Sequence, residues 1–137
     1  MDKPFYSDSL AKLFLRIAVG GLMLPHGIAK IRHGIQAIRD MLLQSGLPES
    51  MAPLVFVGEV VAPILILLGF LTRPMALILA ITMLFSIYLA YGTELFGLNQ
   101  YGGLVTEVNF LFLAGSLALF FGGGGRYAVG GGEGRWN

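Results

Sequence analysis

Four apolar runs alternate with short polar stretches along the chain. The first, residues 10–29, is long enough to cross a bilayer, which takes ~20 mostly apolar residues. It is not uniformly apolar. Arg16, Gly20, Met23, Gly27 and Lys30 recur at spacings of 4, 3, 4 and 3, which places them on one helical face. The opposite face carries Phe14, Val19 and Leu22, groups that suit lipid. An ionisable side chain within a span costs at least ~2.5 kcal/mol on insertion scales, so the polar stripe is expected to look into a bundle. Pro25 removes the bond to the carbonyl of Gly21 and predicts a bend near the end of this helix.

Residues 31–52 are the longest polar stretch. Ile31, Ile35, Ile38, Met41 and Leu42 recur there at helical spacing, with Arg32, Gln36, Arg39 and Asp40 between them. The pattern predicts a short interfacial amphipathic helix over 33–44, ended by Gly46 and Pro48. A second span is expected over 53–71, with Glu59 its one charge. Pro63 follows four residues later and takes the normal partner from the Glu59 carbonyl. Gly58 and Ala62 are a small pair that lets a neighbouring helix approach. Pro74 suits the start of a third span, 74–91, whose small face is Thr82, Ser86 and Ala90. Tyr88 and Tyr91 stand near its end, as interfacial aromatics do. A Gly-rich loop over 92–104 leads to a fourth span, 105–121, with Glu107 and Asn109 in its first turns.

Residues 122–137 hold eight of the 20 glycines and are expected to form a flexible tail. A phosphate-cradling loop needs a strand before it and a helix after it, and this run has neither. The expected fold class is an all-α membrane protein, a four-transmembrane-helix up-down bundle with a short interfacial amphipathic helix between helices 1 and 2. It is read as one domain over 1–121 followed by the tail.

Composition supports the membrane class. The chain is 55% hydrophobic and 12% charged, against about 25% charged in soluble domains. A net charge of +1 argues against nucleic-acid binding. Without cysteine, thiol redox chemistry, disulfides and cysteine metal sites are excluded. Arg16 interrupts the first apolar run and no A-x-A site follows, which counts against a cleaved signal peptide. Four spans put both termini on one side with Lys3, Lys12, Arg73, Arg126 and Arg135, and the positive-inside rule makes that side cytoplasmic.

Orientation then predicts a cluster. Side chains lean toward the N-terminus of their helix, so His26 and Lys30 lean into the membrane from the outer end of helix 1. Glu59 and Glu107 lean up toward them. His26, Lys30, Glu59 and Glu107 are therefore the candidate ligand-binding or proton-relay residues. Arg16 is a separate, structural polar group, and Asn109 is expected to bond a neighbouring helix. No metal is expected, because chelating spacings such as Glu-x-x-His are lacking.

The segments LRIAVGGLMLPHGIAK (15–30), SGLPESMAPLVFVGEVVAPILILLGFLTRPMALILAITML (45–84) and TEVNFLFLAGSLALFFGGGGRY (106–127) together resemble the DoxX family of small four-helix membrane proteins. Arg16, His26-Gly27-x-x-Lys30, Gly58-Glu59, Thr72-Arg73, Met83, Glu107 and Gly125-Arg126-Tyr127 carry the likeness. Where the family typically has a histidine near the end of helix 3, this chain has Tyr88 and Tyr91. The resemblance implies a bacterial or archaeal inner-membrane protein associated with respiratory or quinone-linked redox systems.

On that footing, His26 and Lys30 would donate hydrogen bonds to a quinone head group. The pocket would lie between helices 1, 2 and 4 and open to the outer leaflet. Glu59 would be a proton carrier or the ion-pair partner of Lys30. Expected partners are membrane lipids, quinone, redox-complex subunits or a second copy of the chain; whether it acts as an enzyme is left open. Two other readings stay open: a small proton-coupled transporter using Glu59, and a structural or assembly subunit without its own ligand.

Overall fold

The computed structural model describes residues 7–132 and 134–137. The polar residues 1–9, expected from sequence to lie at the membrane surface, fall mostly outside the described residues. Ser7 opens the first helix by accepting a hydrogen bond from the Leu10 N–H at 3.3 Å. Asp8 follows in the first turn, where a carboxylate complements the helix dipole. This helix, α1 (Asp8–His33), runs unbroken through the exposed Pro25 and outlasts the 10–29 expected. Lys30, Arg32 and His33 lie in its last turn, and the Gly34 N–H closes it on the Lys30 carbonyl at 2.9 Å.

The amphipathic stretch folds as α2 (Gln36–Gln44), with Leu42 buried. Gly46, at φ 73°, ends it in a left-handed turn that places the Leu47 N–H on the Leu42 carbonyl. The next span, α3 (Glu49–Leu68), changes its winding along its length. It starts as a 3₁₀ helix (Glu49–Leu54), passes through a π-helical turn (Val57–Val61) and ends as α-helix (Ala62–Leu68). Pro63 explains the π turn. It has no N–H for the Glu59 carbonyl, and its ring crowds that carbonyl in an α-helix. Widening the turn relieves the clash, and the Ala62 N–H reaches back five residues to Val57.

Gly69, at φ 71°, then reverses the chain into α4 (Thr72–Tyr91). A 3₁₀ turn (Gly92–Glu94) and a looped segment stitched by Asn99 lead to α5 (Glu107–Gly122). α1, α3 and α4 are long and apolar enough to cross a membrane, whereas α5 is apolar but shorter.

α1 packs on α3 and α5, and α4 packs on the same two helices. Val19, Met23, Ile66, Leu79, Met83, Phe112 and Leu119 meet in the core. Outward faces carry Phe14, Leu22, Ile81, Leu84 and Leu111, all more than half exposed, as lipid contact requires and as a soluble monomer avoids. The first-helix stripe does face inward: Arg16, Gly20, Met23 and Gly27 are buried. Val19, expected on the lipid face, is buried as well. It lies against Gly115 of α5, where a Cβ would come within 2.7 Å of its methyl group. α1 thus has two contact stripes, one for each neighbour.

Glycine sets the spacing between helices. A Cβ at Gly20 would sit 2.7 Å from the Pro63 carbonyl oxygen, and one at Gly27 would strike the Glu59 carbonyl outright. A Cβ at Gly58 would strike Thr82 of α4. Gly27→Ala must therefore push α1 off α3, because the obstructing atoms are backbone and cannot rotate away. We expect a loss of about 1–3 kcal/mol, the usual range for overpacking, measured by thermal unfolding in detergent; an unchanged midpoint would contradict the contact.

Residues 123–137 do not hang free where they are described. The Val129 and Gly130 N–H groups bond the carbonyls of Leu68 and Gly69 at 2.9 and 3.0 Å. The Asn137 side chain, buried beside the start of α4, accepts from the Thr72 hydroxyl at 2.7 Å and its N–H at 3.2 Å. The loose tail expected from glycine content is instead laid against the α3–α4 turn, because glycine lets backbone approach backbone.

Candidate functional site

Gly27 brings α1 close enough to α3 for Lys30, one turn further along, to reach Glu59. The Lys30 ammonium donates to the Glu59 carboxylate in an ion pair. The Glu59 side chain is 7% exposed and that of Lys30 28%. Glu59 itself lies in the π turn, beside the wide backbone that Pro63 imposes.

This pair forms part of the wall of a cavity of about 410 Å³. The remaining wall is mostly apolar. α2 contributes Ile38, Met41 and Leu42; the start of α3 contributes Met51, Ala52, Leu54 and Val55. α4 contributes Phe85 and Leu89, with Thr82 and Ser86 as its polar groups. Ser86 also accepts a hydrogen bond from the Asn109 amide at 3.2 Å, tying α4 to α5. Among the described residues, the ammonium of Lys30 has one protein acceptor, so two of its three donors remain for a guest.

The other two candidates stand elsewhere. His26 is exposed and meets Phe112 of α5 edge-on, with ring centroids 6.1 Å apart. One residue of helix rotation separates it from Gly27, enough to turn it from α3 to α5. Glu107 is exposed at the start of α5, with its carboxylate folded over Gly103. The fourfold cluster therefore reduces to Lys30 and Glu59. The pocket lies between α1, α2, α3 and α4, and the fourth span does not line it as expected.

The sequence pattern predicts α2 as an interfacial helix; in the structure it also roofs the cavity. Its apolar stripe is the signal, since such a stripe needs a partner. Among the described residues, no three His, Asp or Glu side chains gather closely enough to hold a metal ion.

A second polar centre occupies the opposite end of the bundle. Arg16, 2% exposed, donates from Nε to the Ile66 carbonyl at 2.9 Å and from Nη2 to Leu67 at 2.6 Å. Its Nη1 reaches the Gly124 carbonyl at 3.2 Å. Arg73 caps α5 in the same way, donating from Nη1 to Phe120 and Phe121 at 3.1 and 3.0 Å. Both guanidinium groups meet the negative ends of helices, so this centre ties helix ends and tail together, apart from the cavity.

Residues 11–92 match the DoxX family model. The chain belongs to the DoxX family. The match spans α1 to α4 and takes in every residue lining the cavity of this DoxX protein, together with Arg16, Thr72 and Arg73. α5 and the tail lie outside it. Neither the curated proteins nor the solved structures show a match to the chain. The integral-membrane character of this DoxX chain rests on the family and on its three long apolar helices.

Proposed function

We propose that this DoxX protein binds a quinone or a lipid-like ligand in the cavity beside Lys30 and Glu59, as a redox-associated subunit of a bacterial or archaeal inner membrane. The observation that carries the reading is the ion pair set in an otherwise apolar wall. A cavity of about 410 Å³ falls in the usual range for small-molecule sites, which pair apolar walls with a few convergent polar groups. Lys30 donates to a ring carbonyl, Glu59 holds the ammonium in place, and Phe85, Met41 and Met51 flank the ring.

The test is solvent extraction of the purified protein followed by titration with a short-chain quinone. We expect co-extracted quinone and saturable binding. Lys30→Met should weaken binding at least about tenfold, the size of one charge-assisted hydrogen bond. Ala90→Phe, which fills the cavity away from the ion pair, should block binding in a protein of normal stability. Neither quinone nor binding would return the chain to the assembly-subunit reading.

Proton-coupled transport keeps one observation in its favour: Glu59 sits in a π turn, and such turns concentrate at functional sites. Efflux driven by a pH gradient in vesicles, abolished by Glu59→Gln, would favour it.

The reading includes four spans in up-down order, with both termini cytoplasmic. Among the described residues, Lys12, Arg16, Arg73, Arg126 and Arg135 gather at the end of the bundle where the tail docks, against Asp8 alone. That imbalance supports the orientation. Because the chain lacks cysteine, single-cysteine variants report sidedness cleanly. An impermeant maleimide should label Gln36→Cys on intact cells and Arg126→Cys only after permeabilisation; the reverse pattern would invert the topology.

A further inference from the structure

The end of the bundle that carries the tail has a groove of its own. It measures about 360 Å³ and runs between α4 and α5, with Arg73, Arg135 and Trp136 lining it beside Leu77, Phe120 and Phe121. Its chemistry is divided. The guanidinium of Arg135 lies over the Trp136 ring, 5.3 Å from the centroid. Arg73 uses Nη1 to cap α5, but its Nε–H is buried with no acceptor among the described residues. Two cations and an amphipathic indole are thus placed beside a wall of leucine and phenylalanine. Trp136 and Phe121 are 57% and 73% exposed.

We propose that this groove is a binding site for an acidic phospholipid of the leaflet facing the chain termini. Arg135 and Arg73 take the phosphate, Trp136 sits at headgroup level, and one acyl chain runs along Leu77, Phe120 and Phe121. Charge complementarity selects this occupant. Among the described residues cations dominate this end of the molecule, and basic pockets between membrane helices are suited to anionic head groups. The indole fits the same depth, because tryptophan concentrates at membrane interfaces. A zwitterionic lipid would present its own cation to the same guanidinium groups and lose most of that attraction.

Trp136 is the only tryptophan, so its fluorescence reports on this groove alone. The full chain is reconstituted in phosphatidylcholine vesicles containing increasing fractions of a phosphatidylglycerol brominated on its acyl chains. A parallel series uses brominated phosphatidylcholine in the same background. We expect half-maximal quenching at a mole fraction roughly fivefold lower for phosphatidylglycerol, the equivalent of one basic contact. Arg135→Gln should abolish most of this preference, and Arg126→Gln, outside the groove, should keep it. Comparing both lipids within each variant cancels any change in the intrinsic emission of Trp136. Arg73 is left unaltered because it also caps α5. Equal quenching by the two lipids would overturn the site. So would equal loss in the Arg135 and Arg126 variants, which would mean diffuse surface charge. Protection of Trp136 from both lipids would mean that protein covers the groove instead.

Discussion

Lys30→Met destabilises the protein by about 3–5 kcal/mol while Glu59 is present, and by far less once Glu59 has been replaced by glutamine. Removing one partner of a buried ion pair leaves the other charge uncompensated, and that residue of charge sets the magnitude. Glu59 has little water to fall back on, because its side chain is only 7% exposed. In the Glu59→Gln background no carboxylate remains to be stranded, so the second change costs little. The measurement is a double-mutant cycle on thermal unfolding in detergent. A Lys30 that merely reaches out to lipid head groups would give additive shifts, within ~0.5 kcal/mol, and the site would lose its central interaction.

Arg16→Met is expected to cost at least about 3 kcal/mol. Three carbonyl groups, those of Ile66, Leu67 and Gly124, accept from this guanidinium, and each buried acceptor left without a donor costs about 1–3 kcal/mol. Arg16→Lys should recover less than half of the loss. An ammonium is a point donor, whereas the planar fork of arginine reaches separated acceptors at once. The same variants should speed hydrogen exchange at Val129 and Gly130, whose amides close the tail onto Leu68 and Gly69, because Arg16 joins both partners. Stability unchanged by Arg16→Met would show that the guanidinium only snorkels.

Local patterns in the sequence anticipated the contacts that glycine and small residues make. The spacing from Arg16 to Lys30 marked the buried face of α1, and Gly58 marked the place where Thr82 of α4 comes in. The lean of side chains along each helix placed Lys30 and Glu59 near one another. It did not place His26 or Glu107, because lean fixes depth along a helix and not rotation about it. His26 differs from Gly27 by one residue, and that step turns it from α3 to Phe112 on α5. The docking of the tail had no local signal. Glycines offer no side chain to match with a partner, and Asn137 finds Thr72 across 65 residues of sequence. The role of α2 fell between these cases: its stripe was visible, but the cavity beneath it exists only once α3 and α4 are in place.

The brevity of α5 has a consequence for the bilayer itself. Its 16 residues rise about 24 Å, whereas α1, with 26, rises about 39 Å. A hydrocarbon core is about 30 Å thick. In the proposed four-span arrangement, lipids beside α5 must compress by about 6 Å while those beside α1 need not, at a fraction of a kcal/mol for each ångström of mismatch. Short-chain lipids relieve that strain. Under that proposed topology the unequal walls of the bundle favour thin membrane, a preference set by helix length alone.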